Sequence, residues 1–197
     1  MCKRAFDVFT SIVGLALLSP VFIAVAILIV LTSPGPVFYR GIRIGKAGVP
    51  FRMLKFRTMV ERADSLGGPS AGSDDPRITW AGTLLRKLKL DEFPQLFNVL
   101  LGQMSLVGPR PEVPEEVELY DENSRRLLLV RPGITDYASI RFRNEGEILK
   151  GAPDPHKAFK ELIQPEKIRL GLKYVDNHSC IGDIKILILT IRAVISD

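Results

Sequence analysis

Apolar residues are unevenly distributed along the chain, and the longest apolar segment lies near the N-terminus. The 24 residues from 8 to 31 contain no charged side chain, and a helix of this length can cross a bilayer once. Ser19 and Pro20 interrupt the segment near its middle, where a proline removes one backbone hydrogen bond and kinks the helix. The pattern predicts a membrane segment with a helix break at Ser19 and Pro20, in which the Ser19 hydroxyl is a candidate partner for the freed backbone.

Basic residues flank this segment on both sides, with Lys3 and Arg4 before it and Arg40, Arg43 and Lys46 after it. Because Lys and Arg favour the cytoplasmic side of a membrane, a single span would place one basic cluster on the wrong side. A re-entrant helix-break-helix would keep both ends inside, with legs of about 12 residues that reach roughly 18 Å. The residues alone leave the kinked span and the re-entrant anchor open.

Beyond the segment, residues 37–45 and 49–57 alternate apolar with basic side chains around a glycine-containing turn, which predicts a β-hairpin with a basic face. Residues 67–76 are rich in Gly, Ser and Pro and predict a mobile loop. The last predicted helix is too short to span a bilayer, so it belongs either to the core or to the membrane interface. Helical patterns cover residues 58–66, 78–90, 92–101, 115–123, 154–163, 166–175 and 183–195.

Composition narrows the class of protein. The 197 residues suffice for one domain with a core, and 46% hydrophobic residues beside 25% charged residues exclude a multi-span membrane protein. The net charge of +5 suits anionic lipid, phosphorylated ligands or nucleic acid, but no base-reading motif supports nucleic acid. Cys2 and Cys180 form no metal or disulfide pattern, which is typical of a reducing compartment. We expect an α+β, mostly helical fold with a membrane anchor over residues 1–35 and a domain on the membrane surface over residues 36–197.

Two adjacent carboxylates, Asp91 and Glu92, follow a basic stretch and open an apolar one. Pro94 is tolerated only in a first helical turn, so Asp91 is predicted to be a helix N-cap at the positive end of the helix dipole. For an isolated Asp-Glu pair, a purely structural cap is the commoner explanation.

Basic residues near the pair suggest chemistry on an anionic substrate. Arginine binds phosphate oxygens bidentately and lysine supplies a point charge. Mg²⁺ favours one or two carboxylates plus phosphate oxygens, which makes Asp91 and Glu92 candidate metal ligands, and a carboxylate can also attack phosphorus. These residues permit metal-assisted phosphoryl-type transfer, although adhesion to anionic lipid by a non-catalytic adaptor is an alternative. The candidate substrate-binding residues are Lys55, Arg57, Arg77, Arg86 and Arg110, with Pro109 and Pro111, which stiffen the loop around Arg110 or merely form a rigid connector.

Several motifs in a fixed order carry a resemblance to a known family. They are KFRTM at residues 55–59, DPRIT at 75–79, LLR at 84–86, LDEFPQLFNVL at 90–100 and MSLVGPRP at 104–111. With these motifs the chain resembles the bacterial monotopic phosphoglycosyl transferases, also called bacterial sugar transferases, and in particular their small catalytic-domain-only members. Larger members often have glycine where this chain has Asp136.

The resemblance implies transfer of a sugar 1-phosphate from a UDP-sugar to undecaprenyl phosphate at the cytoplasmic face of the bacterial inner membrane, with release of UMP. It implies that Asp91 is the nucleophile and that Glu92 assists through Mg²⁺ or the lipid phosphate. It also implies that Arg110 contacts the nucleotide end, that Arg86 contacts a phosphate, and that the anchor is re-entrant and broken at Ser19 and Pro20. The oligomeric state stays open, a homodimer included.

Overall fold

The computed structural model describes residues 2–195. Met1 of the predicted anchor and Ser196 and Asp197 of the predicted domain lie outside the described residues. The fold is mostly helical with a small two-stranded antiparallel sheet, as predicted. The helices are α1 (Cys2–Thr32), α2 (Trp80–Lys87), α3 (Gln95–Leu100), α4 (Pro114–Glu118), α5 (Tyr137–Arg141), α6 (Glu145–Ile148), α7 (Pro155–Leu162), α8 (Gln164–Asn177) and α9 (Cys180–Ile195). The strands are β1 (Phe38–Ile44), β2 (Pro50–Phe56), β3 (Ser105–Val107) and β4 (Gly133–Thr135).

The apolar segment forms one uninterrupted helix, so the predicted helix break at Ser19 and Pro20 was wrong. α1 continues through Pro20, because the Ser19 hydroxyl donates a hydrogen bond to the Ala16 carbonyl at 2.8 Å. That carbonyl is the acceptor which Pro20, lacking an N–H, leaves without its helical partner. The prediction that Ser19 satisfies the freed backbone was therefore confirmed. By length and composition, α1 is the one helix within residues 2–195 that could cross a membrane.

The inner face of α1 is polar near its N-terminus and the outer face is apolar. Asp7 and Ser11 are only 2% and 0% exposed, and Asp7 accepts a hydrogen bond from the Leu106 N–H at 3.2 Å. An exposed apolar face of this extent marks a surface that a membrane or a partner covers. The exposed apolar side chains of α1 are Phe6, Phe9, Ile12, Val13, Leu17, Ile23, Ile27, Val30 and Leu31.

Both ends of α1 are fastened to the rest of the protein. At the N-terminal end, the Lys3 ammonium group lies 2.5 Å from Asp183 in α9, and Arg4 donates to the Leu100 carbonyl at 3.0 Å. At the other end, the Arg57 guanidinium group donates to the Ser33 carbonyl at 2.8 Å. These contacts hold α1 against the domain at both ends, from its first turn to Ser33, which directly follows the helix.

The predicted β-hairpin was confirmed, because β1 and β2 pair antiparallel from Phe38 opposite Phe56 to Ile44 opposite Pro50. The helix predicted over residues 58–66 was wrong. Met59 instead forms an antiparallel bridge with Ile78, in keeping with the β-branched residues nearby, which favour extended backbone.

The parallel pairing of β3 with β4 and the short helices α5 and α6 were not predicted. α9 is both core and surface: Ile186 is 1% exposed, while an outer stripe is apolar and exposed. That stripe consists of Ile181, Ile184, Ile188, Ile191 and Val194.

Candidate active site

The two carboxylates lie on a short 3-10 turn between α2 and α3. Lys89 adopts a left-handed backbone conformation with φ of 55°, and the turn Leu90–Glu92 follows it. The residue that caps α3 is Pro94, which provides no side-chain hydrogen bond. The prediction that Asp91 is the N-cap was therefore wrong. The backbone carbonyls of Phe93 and Pro94 accept the N–H groups of Leu96 and Phe97 instead, which leaves the Asp91 carboxylate free.

Asn98 fixes this turn against the hairpin. Its side-chain oxygen accepts a hydrogen bond from the Leu54 N–H at 2.9 Å, and its amide nitrogen donates to the Arg52 carbonyl at 2.8 Å. Asn98 is 1% exposed, so these bonds form in a dry environment where they are strong. They hold α3 against β2 and bring Lys55 to the carboxylate pair.

Glu92 is held by two cations. Lys55 lies 2.8 Å from one carboxylate oxygen of Glu92, and Arg110 donates to both oxygens, at 2.9 Å for Nη1 to Oε2. Burial by itself would raise the pKa of Glu92, but the charges of Arg110 and Lys55 outweigh it and hold that pKa well below its usual value. Pro109 and Pro111 on either side of Arg110 are buried, which fixes the loop that presents this arginine.

Asp91 has the opposite environment. It is 8% exposed, and among residues 2–195 no hydrogen bond or ion pair reaches its carboxylate. Burial and the neighbouring charge of Glu92 raise the pKa of Asp91. The positive charges of Lys55, Arg86 and Arg110 lower that pKa, but they do not outweigh the effect of burial and of Glu92. Asp91 is thus a poorly solvated carboxylate with free oxygens, surrounded by cations at longer range.

One cleft with a volume of about 1420 Å³ contains the whole predicted site. All nine predicted catalytic and substrate-binding residues line it, whereas Ser19 and Pro20 do not. The cleft is large enough for a nucleotide with a further group attached. Its lining includes Asp91, Glu92, Lys55, Arg57, Arg77, Arg86, Pro109, Arg110 and Pro111.

Arg57 and Arg77, like Arg110, are already engaged by protein oxygens. Arg57 is 6% exposed and donates to the Ser33 and Pro34 carbonyls. Arg77 forms an ion pair with Asp75 at 2.7 Å and also donates to loop carbonyls. By contrast, Arg86 makes a single side-chain hydrogen bond within residues 2–195, from its Nε to the Thr58 hydroxyl at 3.0 Å. Arg86 is therefore better placed to bind an incoming phosphate than Arg57 or Arg77.

The carboxylate pair fits Mg²⁺ only in part. Within residues 2–195 no three His, Cys, Asp or Glu side chains form a metal cluster. Mg²⁺ commonly combines one or two carboxylates with phosphate oxygens. The free oxygens of Asp91 are suitable donors. Glu92 is a poorer donor, because Lys55 and Arg110 occupy most of its lone pairs.

Sequence reasoning missed several residues that support or line the cleft. Asn98 carries no charge and belongs to the LDEFPQLFNVL motif, which was the one available signal. Asp136 stands where larger members of the resembled family often have glycine; here it caps α5 by accepting the Ser139 N–H at 2.7 Å. Glu112 and Lys167 also line the cleft, and no local pattern places them there.

A cationic cleft with a free carboxylate beside a long apolar helix is the arrangement expected of an enzyme that acts on phosphorylated substrates. The chain belongs to the bacterial sugar transferase family, because the sequence profile of that family matches residues 1–197. The resemblance carried by the ordered motifs is thereby confirmed, and the protein is a transferase.

Similar proteins include short and long relatives. The exopolysaccharide production protein ExoY of Sinorhizobium fredii is 39% identical over 98% of this chain and 84% of ExoY. The UDP-N-acetylgalactosamine-undecaprenyl-phosphate N-acetylgalactosaminephosphotransferase of Aeromonas hydrophila is 36% identical over 98% of this chain and 44% of the relative. The UDP-glucose:undecaprenyl-phosphate glucose-1-phosphate transferase of Escherichia coli is 36% identical over 97% of this chain and 39% of the relative. This chain thus spans most of ExoY and less than half of the two longer proteins.

Proposed function

We propose that this protein transfers a sugar 1-phosphate from a UDP-sugar to undecaprenyl phosphate and releases UMP. The observation that carries the proposal is the free, buried carboxylate of Asp91 in a cleft lined by cations. The names of the Aeromonas and Escherichia relatives, which describe transfer to undecaprenyl phosphate, support the same reaction.

The proposed route has two displacements at one phosphorus atom. An Asp91 oxygen attacks the phosphorus that bears the sugar, while the bond from that phosphorus to the bridging oxygen of the diphosphate breaks. The bridging oxygen leaves with UMP, and the sugar phosphate stays on Asp91 as a mixed anhydride. A phosphate oxygen of undecaprenyl phosphate then attacks the same phosphorus, and the bond to Asp91 breaks. This step regenerates the carboxylate and gives the diphosphate-linked product.

The contrast between the two carboxylates supports Asp91 as the nucleophile. Attack requires a lone pair that no hydrogen bond occupies, and Asp91 has such lone pairs. Glu92 has its oxygens bound by Lys55 and Arg110, which also lower its basicity. In this proposal Glu92 holds the two cations beside the reacting phosphate.

The cations of the cleft bind the substrate phosphates. Arg86 contacts a phosphate of the donor, and Arg110 lies at the nucleotide end, where its guanidinium group can bind phosphate oxygens bidentately. Asp91 and the remaining lone pair of Glu92 would hold Mg²⁺, which would supply positive charge against the diphosphate.

The contacts of α1 support a monotopic arrangement at the inner membrane, with the domain on the cytoplasmic face. A helix whose two ends are both fastened to one charged domain cannot place those ends on opposite sides of a bilayer, because the domain would have to span it too. Lys3 and Asp183 fasten one end, and Arg57 and Ser33 fasten the other. The apolar outer face of α1 would then lie in lipid and bring Asp91 to the depth of the lipid phosphate.

Two measurements test the proposal. UMP release is assayed with a panel of UDP-sugars, undecaprenyl phosphate and Mg²⁺, and intact-protein mass is measured by rapid quench when the lipid is withheld. We expect UMP release with at least one sugar and a phosphosugar adduct. Asp91→Asn should lose about 10³-fold or more of the rate and form no adduct, while Glu118→Gln, an exposed residue outside the cleft, should match the unmodified protein.

Each negative result has a distinct meaning. UMP release without an adduct would contradict the covalent route. A lack of UMP release with every sugar in the panel would contradict the transfer itself and favour the adaptor. Near-normal activity of Asp91→Asn would contradict the choice of nucleophile.

A further inference from the structure

A second free carboxylate lies in the cleft. Glu112 follows Pro111 and lines the same cleft as Asp91, and its backbone carbonyl accepts a hydrogen bond from the Ile44 N–H at 3.0 Å. The end of β1 therefore fixes its position. In the described part of the chain, no hydrogen bond or ion pair reaches the Glu112 side chain.

The cations near Glu112 already have partners. Lys167 forms an ion pair with Glu145 at 2.6 Å and lies over the Phe159 ring at 4.8 Å, while Arg110 is bound to Glu92. Glu112 is thus a residue whose backbone is held by β1 and whose carboxylate has no donor among the described residues.

The chemistry of this carboxylate indicates its ligand. It repels phosphate groups, but its two oxygens can accept hydrogen bonds from neutral hydroxyl groups. A half-buried acceptor without a donor is costly, so a ligand that supplies donors gains affinity. A nucleotide sugar carries adjacent hydroxyl groups on its ribose and on its sugar ring, and Glu112 lies two residues from Arg110 at the proposed nucleotide end.

We propose that Glu112 binds hydroxyl groups of the donor substrate and is a specificity-determining residue of the cleft. The inference rests on the proposed function, since it takes a UDP-sugar as the donor. Coordination of Mg²⁺ is the rival role for this carboxylate, and the test below separates the two roles.

The test compares Glu112→Gln with Glu118→Gln, which removes the same charge at an exposed position outside the cleft. At saturating undecaprenyl phosphate, Glu112→Gln should raise the KM for the UDP-sugar about 10- to 100-fold, the loss expected when a hydrogen bond to a charged group is removed. We expect kcat to change less than about threefold and the KM for the lipid to stay constant. Glu112→Asp, which keeps the charge on a shorter side chain, should give an intermediate KM, and Glu118→Gln should behave as the unmodified protein.

Inhibition by UMP separates the two sources of hydroxyl groups. If Glu112→Gln weakens UMP binding as much as UDP-sugar binding, the hydroxyl groups are those of the ribose. If UMP binding is unchanged, they are those of the transferred sugar.

An unchanged KM for the UDP-sugar in a folded Glu112→Gln protein would overturn the inference. So would a shift in the Mg²⁺ concentration for half-maximal activity, which would assign Glu112 to the metal. Calorimetric titration of UMP and the UDP-sugar into the same variants measures the affinity of each ligand and tests the inference without turnover. If the unmodified protein binds the UDP-sugar but releases no UMP, the proposed function fails while the role of Glu112 in binding is still measured.

Discussion

Asp91 and Glu92 are neighbours with the same side-chain chemistry, yet the fold places them in opposite electrostatic environments. Lys55 and Arg110 bind Glu92 and hold its pKa well below the usual value, against the effect of burial. Burial raises the pKa of Asp91, which has no direct partner. A buried charge without a partner destabilises the folded state. Such a cost is typical of residues that serve reactivity rather than stability.

This contrast predicts stability changes of opposite sign for two conservative substitutions. Asp91→Asn removes an unpaired buried charge and should stabilise the protein by about 1 kcal/mol. Glu92→Gln leaves Lys55 and Arg110 without their counter-charge and should destabilise it by about 1.5–3 kcal/mol. Thermal unfolding in lipid nanodiscs measures both changes. A loss of stability in Asp91→Asn would contradict the environment that we describe for Asp91.

The pKa shifts also predict how the reaction depends on pH. Because the pKa of Asp91 is raised in the folded protein, the protonated carboxyl group favours folding and the ionised one opposes it. The contribution of Asp91 to the free energy of unfolding is therefore lost as the pH rises through that raised pKa. Glu92 has the lowered pKa, so its ion pairs stabilise the fold above the pKa of the unfolded state, and this stabilisation is lost as the pH falls through the lowered value.

Because only ionised Asp91 can attack, the rate of adduct formation should fall about tenfold per pH unit below the pKa of Asp91. Single-turnover rapid quench over the pH range in which the protein stays folded measures this rate. A rate that does not change with pH across the acid range would speak against attack by Asp91.

At the scale of single elements, α1 and α9 both expose an apolar face to the surroundings of the protein. α1 buries Asp7 and Ser11, and α9 buries Asp183, while their outer faces carry large apolar side chains. This is the reverse of an amphipathic helix on a water-soluble protein. It supports the interpretation that the membrane covers both outer faces, and for α9 it favours the interface over the core.

Ser19 compensates for the hydrogen bond that Pro20 cannot make, which predicts a coupled effect. Ser19→Ala alone should destabilise the protein by about 0.5–1.5 kcal/mol, because the Ala16 carbonyl loses its donor. Pro20→Ala restores a backbone N–H to that carbonyl and should be neutral or stabilising.

In the double variant, Ser19→Ala should cost almost nothing, so the two effects are not additive. Unfolding of the single and double variants in nanodiscs measures the coupling. An equal cost of Ser19→Ala in both backgrounds would show that the Ser19 hydroxyl does not serve this carbonyl.

At the scale of the whole molecule, the proposed monotopic arrangement of α1 would determine where the cleft lies relative to the membrane. Lys3 and Arg4 fasten one end of α1 and Arg57 fastens the other, all to the same domain. With the basic residues on both flanks, these contacts favour a membrane segment whose two ends lie on the same side of the membrane.

This arrangement predicts that both ends of α1 are inaccessible from outside the cell. The native Cys2 is exposed and serves as one probe in a Cys180→Ser background, and Arg40→Cys without the native cysteines is the other. A membrane-impermeant thiol reagent should label neither position in intact cells and both after permeabilisation. Labelling of either position from outside would contradict the monotopic arrangement.

The sequence predicted the elements that depend on local patterns. The hairpin of β1 and β2 followed from alternation, the long apolar helix from its length, and α7 from the helical pattern over residues 154–163. The pairing of β3 with β4 was missed, because each strand has three residues and its partner lies far along the chain. The prediction that Asp91 caps α3 was wrong, because Pro94 occupies the cap position and Asp91 lies in the 3-10 turn before it.

For the site, the ordered motifs identified the residues that meet in the cleft. Motif residues can be recognised from their order in the sequence even when the structure between them is unknown. Sequence by itself determined the family, the carboxylate pair and the cations around it. Only the tertiary structure decided which carboxylate is free. Glu92 is bound by Lys55 and Arg110, which lie 37 and 18 residues away along the chain. Contacts over such separations depend on how β2, β3 and α3 pack together, and local side-chain patterns do not encode that packing.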